Sequence, residues 1–333
     1  MRGRGGSDRE PPTSDHVRRA KLRFGQDLKS YPNVSGVGIG FRVVGRERRD
    51  EICLRVYVRR KVPESELAPD EILPKTVDGV TVDVIEADWW TMAPDLTLPE
   101  RQTRRPLEVP AGVSIGGLRV TAGTLGAAIS DIGSGELLLL SNWHVLCGDF
   151  ECRSGESVIQ PGVYDGGLSS DGIGHIRTFV LNEDVDAACA TISTERFVLR
   201  DLAGLPGFRG VSSARLGTRM WKSGRTTGVT TGIVEDVAAD VEVGGYPDGV
   251  REFRDQIIAA TEDDTPIVRG GDSGSLVVDD DQYAVGLLFG GERYTGAYLI
   301  ANHISAVIDA LAIELPSQQT HVEAAPALTA ATG

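Results

Sequence analysis

The chain has 333 residues, with 34 Lys plus Arg against 48 Asp plus Glu, a formal charge of −14. Nucleic acid is therefore disfavoured as a partner, because phosphate repels an acidic surface that lacks a basic patch. No apolar run approaches the ~18 residues of a membrane span, and the basic N-terminus MRGRGGSDREPPTSDHVRRAK lacks the apolar stretch of a signal peptide, so the expectation is a cytoplasmic protein that does not engage a membrane.

Residues 1–13 are Gly, Pro, Ser and charge, with nothing to bury, and read as a disordered leader. Asp15 can cap a helix over His16–Leu28, where Val17, Ala20, Phe24 and Leu28 share one face. The β-branched segments Val34–Val44, Ile52–Val58 and Val80–Ile85 follow, which makes residues 14–91 a small α/β unit. Residues 92–112 hold Pro94, Pro99, Pro106 and Pro110 with Arg101, Arg104 and Arg105 and no periodicity, the composition of a linker. Charge agrees with a boundary there: residues 1–110 carry 20 basic and 18 acidic groups, residues 111–333 carry 14 and 30.

From Val113 the pattern is of short apolar strands punctuated by glycine: Thr124–Ile129, Leu137–Leu140, Ser157–Gln160, Ala187–Ile192, Gly232–Val237, Gln256–Ala260, Leu276–Val278 and Ala284–Phe289. Such spacing, in a chain with 41 glycines, predicts a mainly β fold of antiparallel barrels. A helix begins behind Asn302 with Ile304, Val307, Ile308 and Leu311 on one face, and residues 315–333 read as a disordered tail. Four cysteines are too few for a disulfide scaffold and suit a reducing compartment.

The most specific string is Gly270-Gly271-Asp272-Ser273-Gly274-Ser275 between two apolar segments. Its glycines permit a sharp turn that aims the Ser273 hydroxyl into a cleft while the Gly271 and Ser273 amides converge where an oxyanion would form. A serine hydroxyl needs a base. Of five histidines, His144 and His175 are candidates, and His144, at the end of LLLLSNWHV, is delivered by a rigid apolar strand. Asp186, opening the small apolar strand of VDAACATI, suits an orienting carboxylate; Glu183 and Asp184 precede it in a more polar setting. Cys147 and Cys152 form a single Cys-x4-Cys pair without the second set of a zinc site, so no metal is expected. Gly36-Val37-Gly38-Ile39-Gly40 continues as strand and turn instead of opening a helix, which argues against a dinucleotide loop. VGRERR and RQTRR read as solvated faces.

In the order His144, Asp186, Ser273, the strings SNWHV, VDAACATI and GGDSGS resemble the trypsin-like serine proteases of the chymotrypsin fold, over about Val113–Glu314. Lys222-Ser223-Gly224-Arg225-Thr226-Thr227-Gly228 is similar to a segment of the α-lytic-type bacterial members, and GVGIGFRV with LRVYVRRKVPE resembles the front domain of bacterial trypsin-like proteins and plant NARROW LEAF-type proteases. The resemblance implies two β-barrels and a serine endopeptidase without metal or organic cofactor, acting on a protein or peptide substrate. It further implies that Lys222 pairs with Asp272 to hold the oxyanion loop without N-terminal cleavage. Ile267, six residues before Ser273, stands at a specificity position and implies a preference for apolar side chains. Asn142 and Trp143 stand before the histidine in place of the family's small pair, and Ser275 replaces its second glycine. The rival expectation is a non-catalytic peptide-binding module on the same fold, with the N-terminal unit recruiting a protein partner.

Overall fold

The structure is a computed structural model that describes residues 14–45, 47–91, 99–193, 197–263 and 265–315. The expected leader, and the tail from Pro316 onward, lie outside these residues.

Helix α1, Ser14–Lys29, buries Val17, Ala20 and Leu28 as the periodicity predicts, while Phe24 stays at the rim. It covers β1, Val34–Val44, and β2, Glu47–Val58, which pair antiparallel; β3, Val80–Glu86, joins β2 in parallel. Val37, Ile39, Leu54, Val56 and Val80 close a small core beneath the helix. After β3 the chain makes a two-residue strand, β4, Trp89–Trp90.

An eight-stranded antiparallel sheet forms the first barrel, between Ser114–Gly117 and Asp186–Thr191 in sequence. Its last strand comes from the far end of the chain: Ile313–Glu314 returns to pair with Ala127–Asp131, behind helix α2, Ile304–Leu311. Leu138, Leu140 and Ala188 of this barrel share one continuous core with Phe289, Ile300 and Val307, which fixes the two halves against each other.

The second barrel is dominated by a long hairpin of β5, Gly228–Tyr246, and β6, Gly249–Ala260, with β7, Tyr283–Glu292, on the way to the closing helix. The expected strand Gly232–Val237 is the middle of β5. Beyond Ala238 the strand leaves the barrel and pairs with β1, Gly36 opposite Val241 and Val37 opposite Asp240, so the N-terminal unit and the second barrel share one twelve-stranded sheet. Side chains bind the same seam: Arg55 donates to Glu235 at 2.5 Å, the Tyr57 hydroxyl to Asp236 at 2.9 Å, and Lys21 pairs with Asp240 at 2.8 Å. Gly38 is required there, because a Cβ would lie 1.6 Å from an Asp236 oxygen. Burial pushes the Asp236 carboxyl up to about 6, only partly offset by the Ala238 and Ile39 amides that donate to it.

The stretch expected to be linker is in large part packed. Residues 92–98 lie outside the described residues, but Pro99–Gln102 forms a helical turn and Glu108–Ala111 pairs in parallel with Phe197–Leu202. Arg101 is buried and its guanidinium donates to the Gly112 and Ala203 carbonyls at 3.1 and 2.8 Å and to Ser223 Oγ at 2.7 Å. Proline and arginine removed the periodicity without removing the packing, since a guanidinium can be buried when acceptors surround it.

Candidate active site

The apolar strand Leu137–Ser141 ends at Asn142, and His144 follows on one helical turn, Trp143–Leu146. Trp143, Val145 and Leu146 are buried and leave His144 facing a cleft of about 370 Å³ between the barrels. Asp186 opens the neighbouring strand with its carboxylate fully buried. His144 Nδ1 lies 2.5 Å from Asp186 Oδ2, and the His144 amide donates to Oδ1 at 3.3 Å. The backbone of Asp186 is fixed too: Asn142 donates to its carbonyl at 2.7 Å, and its amide donates to Asn302 Oδ1 at 3.1 Å. Gln256 accepts from Asn302 at 2.7 Å and donates to the Asp184 carbonyl at 3.0 Å. A third donor reaches the carboxylate, the Tyr246 hydroxyl, at 2.6 Å from Oδ2.

Ser273 sits across the same cleft, nearly buried, with its hydroxyl donating to the Phe289 carbonyl at 3.2 Å and not to His144. Gly271 holds φ +93°, and a Cβ there would meet Thr226 Oγ1 at 2.7 Å, so the loop requires glycine.

The loop is oriented from beneath. Thr226 Oγ1 donates to the Gly270 carbonyl at 2.6 Å, and Thr124 Oγ1 donates to the Gly271 carbonyl at 2.8 Å. In a planar trans peptide the N–H points opposite to the C=O, so holding the Gly270 carbonyl inward turns the Gly271 N–H toward the cleft. Neither the Gly271 nor the Ser273 amide donates to a backbone acceptor among the described residues, whereas the Asp272 amide is tied to the Arg269 carbonyl at 3.0 Å. Thr226 Oγ1 is itself held by Arg225, at 2.8 Å, and Arg225 is buried against Asp165, its Nε donating at 2.8 Å.

Lys222 and Asp272 are both fully buried and 3.2 Å apart. The Asp272 carboxylate also accepts from the amides of Thr226, Thr227 and Arg269 at 2.9, 3.0 and 2.9 Å and from the Thr227 hydroxyl at 2.7 Å. Lys222 donates to Thr227 Oγ1 and to the Gly228 carbonyl. Burial pulls the lysine down from its ordinary value, and the carboxylate beside it works in the opposite direction.

Other residues singled out in the sequence lie elsewhere. His175 is exposed on a strand of the first barrel, and Glu183, also exposed, pairs with Arg254 at 2.7 Å. Asp184 is exposed and contributes a carbonyl to Gln256. Ile267 packs in the core with Met220, Val234 and Ile257 and is absent from the residues lining the cleft, because its segment is held inward by bonds to Gly296 and Thr230. All four cysteines are free and buried; burial and the adjacent Cys152 push the Cys147 thiol upward, away from nucleophilic use. Among the described residues no group of three or more His, Cys, Asp or Glu could hold a metal ion. Sequence reading gave no site role to Tyr246, Thr124 or Asn302, and took Arg225 and Thr226 only as members of the Lys222–Gly228 string; for Tyr246 the local signal is an aromatic at the tip of GGYPDG, between two long alternating segments.

No protein-family model matches the chain. Protein NARROW LEAF 1 of Oryza sativa subsp. japonica is 27% identical over 78% of this chain, which spans about half (52%) of that relative's length. Among solved structures, protease A of Thermobifida fusca aligns at a TM-score of 0.48 and 18% identity, over 63% of this chain and 99% of its own. The Nocardiopsis protease aligns at 0.46 and 20% identity, over 63% and 100%. Two antiparallel barrels, a helix and final strand that return to the first of them, and a cleft between the two give this chain the mainly β architecture of the chymotrypsin fold, preceded by a small α/β unit.

Proposed function

We propose that the protein is a serine endopeptidase. Ser273 Oγ attacks the peptide carbonyl and passes its proton to His144 Nε2, while Asp186 holds Nδ1–H and stabilises the imidazolium. The oxyanion is met by the Gly271 and Ser273 amides, and His144 returns the proton to the leaving amine; water repeats the sequence on the acyl-enzyme. The observation that carries this reading is the 2.5 Å contact of His144 with buried Asp186, facing the cleft that Ser273 and Gly271 also line. No carboxylate lines that cleft among the described residues, which disfavours substrates with a Lys or Arg side chain before the scissile bond.

The Ser273 hydroxyl's bond to Phe289 favours a second reading, a peptide-binding module whose serine is parked. A fluorophosphonate probe separates the two. Labelling of the wild type at Ser273, lost in Ser273→Ala, supports the peptidase; folded protein that neither labels nor cleaves a peptide library supports the module.

A further inference from the structure

The Asp186 carboxylate has a partner that neither barrel strand beside it supplies. Tyr246 stands at the very end of β5, where the hairpin turns, and it reaches across the cleft so that its hydroxyl meets the same Oδ2 that His144 Nδ1 contacts, at 2.6 and 2.5 Å. The residue is 5% exposed, and its ring stands edge-on to the His144 ring with centroids 5.9 Å apart and rests on Phe253, which rests on Phe289. Burial and the charge of Asp186 hold the phenol well above its ordinary value, so it donates throughout the working pH range.

The hairpin that presents Tyr246 is not free-standing. β1 pairs with β5 at Asp240 and Val241, Lys21 pairs with Asp240 at 2.8 Å and Lys29 with Glu252 at 2.9 Å, and the Thr91 amide donates to the Gly244 carbonyl at 2.9 Å. Every one of those partners belongs to the N-terminal unit or to the strand that leaves it.

We propose that Tyr246 is a positioning residue for the His144–Asp186 pair, delivered by a hairpin that the N-terminal unit braces. Its hydroxyl occupies Oδ2 together with the imidazole, which fixes the carboxylate's rotation and withdraws part of its charge from the histidine. The inference rests on the proposed use of His144 as base. The other charged groups facing this site are in closed pairs: Arg119, which lines the cleft, with Asp149 and Glu156 at 3.4 and 2.6 Å, and Arg251 with Asp248 at 2.7 Å beside the hairpin turn.

The test is the titration of His144 in the full chain carrying Ser273→Ala, followed by NMR of ¹³C-labelled histidine and assigned by His144→Gln. Tyr246→Phe removes one donor from the carboxylate, which then stabilises the imidazolium better, and the His144 midpoint should rise by about 0.5 to 1 pH unit. Substituting 3-fluorotyrosine at 246 keeps the shape and strengthens the donor, so the midpoint should move the opposite way. With Ser273 intact, Tyr246→Phe should nevertheless lower kcat about tenfold with KM little changed, because the carboxylate loses the contact that fixes its rotation and with it the aim of the imidazole. Equal titrations in wild type and the fluorotyrosine protein, which needs no change of packing, would overturn the proposal even if Tyr246→Phe failed to fold. The titration does not need turnover: an inactive wild type would sink the peptidase reading alone, and active protein with an unmoved titration would sink the role of Tyr246 alone.

Discussion

Replacing Lys222 by methionine should disable the oxyanion loop while leaving His144, Asp186 and Ser273 in place. The substitution keeps a similar volume and deletes one charge from a fully buried pair 3.2 Å apart. Removing one partner of such a pair costs about 3–5 kcal/mol, because the other charge is left in the interior. Asp272 keeps three amides and the Thr227 hydroxyl, which places the loss near the lower end, about 3 kcal/mol. Asp272 lies between the two amides that would meet the oxyanion, so its relaxation displaces both, and the loss of one such donor lowers kcat about 10²–10³-fold. The assay is urea unfolding at neutral pH together with peptide hydrolysis and the intact mass of the active species. Lys222→Arg should retain much of both stability and activity, and Lys222→Met with Asp272→Asn should recover stability, since no unpaired charge remains. N-terminal cleavage is not needed on this account. Val113 is fully buried in the first barrel's entry, where the Gly112 amide donates to Leu125 and Leu125 donates back to Val113, at 2.7 and 2.9 Å. The reasoning is refuted if only protein newly cut near Val113 hydrolyses peptide, or if Lys222→Met matches the wild type in midpoint and rate.

Thr226→Val deletes the tie on the Gly270 carbonyl and should lower kcat about 10²-fold with KM and the His144 titration unchanged; a rate within twofold of wild type would show that the loop needs no such tie. Asp236 carries a pH signature of known sign: its folded value of about 6 lies above the ordinary 3.8, so the folded state holds its proton longer and stability falls as pH rises through that window. The span corresponds to about 3 kcal/mol, and the unfolding midpoint of the wild type relative to Asp236→Asn should decline between pH 4 and 7; a constant difference would contradict it. A chain nicked between Thr91 and Pro99 should still elute as one species in native gel filtration, held by the β1–β5 ladder and the Arg55–Glu235 and Lys21–Asp240 pairs; dissociation of the two pieces would mean that this seam is weak.

The residues proposed for chemistry were legible because each lies in a string with its own local signal. His144 follows an apolar strand, Asp186 opens one of small residues, and Ser273 stands among glycines whose positive φ the turn demands. The side chains that orient them were hidden by distance. Tyr246 is 60 residues from the carboxylate it meets, and Thr226 is 44 from the carbonyl it holds, so no local pattern links them. The N-terminal strands were readable from β-branched alternation, but their partner was not: past Val237, β5 runs through Ala238, Ala239 and Asp240, too small and polar to look like sheet, and its pairing with β1 depends on backbone bonds that composition does not report. Ile267 was placed by its offset from the serine, a count that carries no information on which way the segment faces.

The two residues of β4 have a consequence for the sheet as a whole. Trp89 and Trp90 lie parallel to Val243 and Gly244 on one side and antiparallel to Gly291 and Glu292 on the other, with Trp89 buried against Tyr57 and Tyr298 and Arg293 stacked 3.9 Å over Trp90. They fill a seam between β5 and β7, which do not pair with each other among the described residues. A barrel pair expressed from Val113 alone would open that seam and present two adjacent raw edges, a template for any extended chain, including a second copy of itself. Loss of the small front unit should therefore show as self-association before it shows as unfolding.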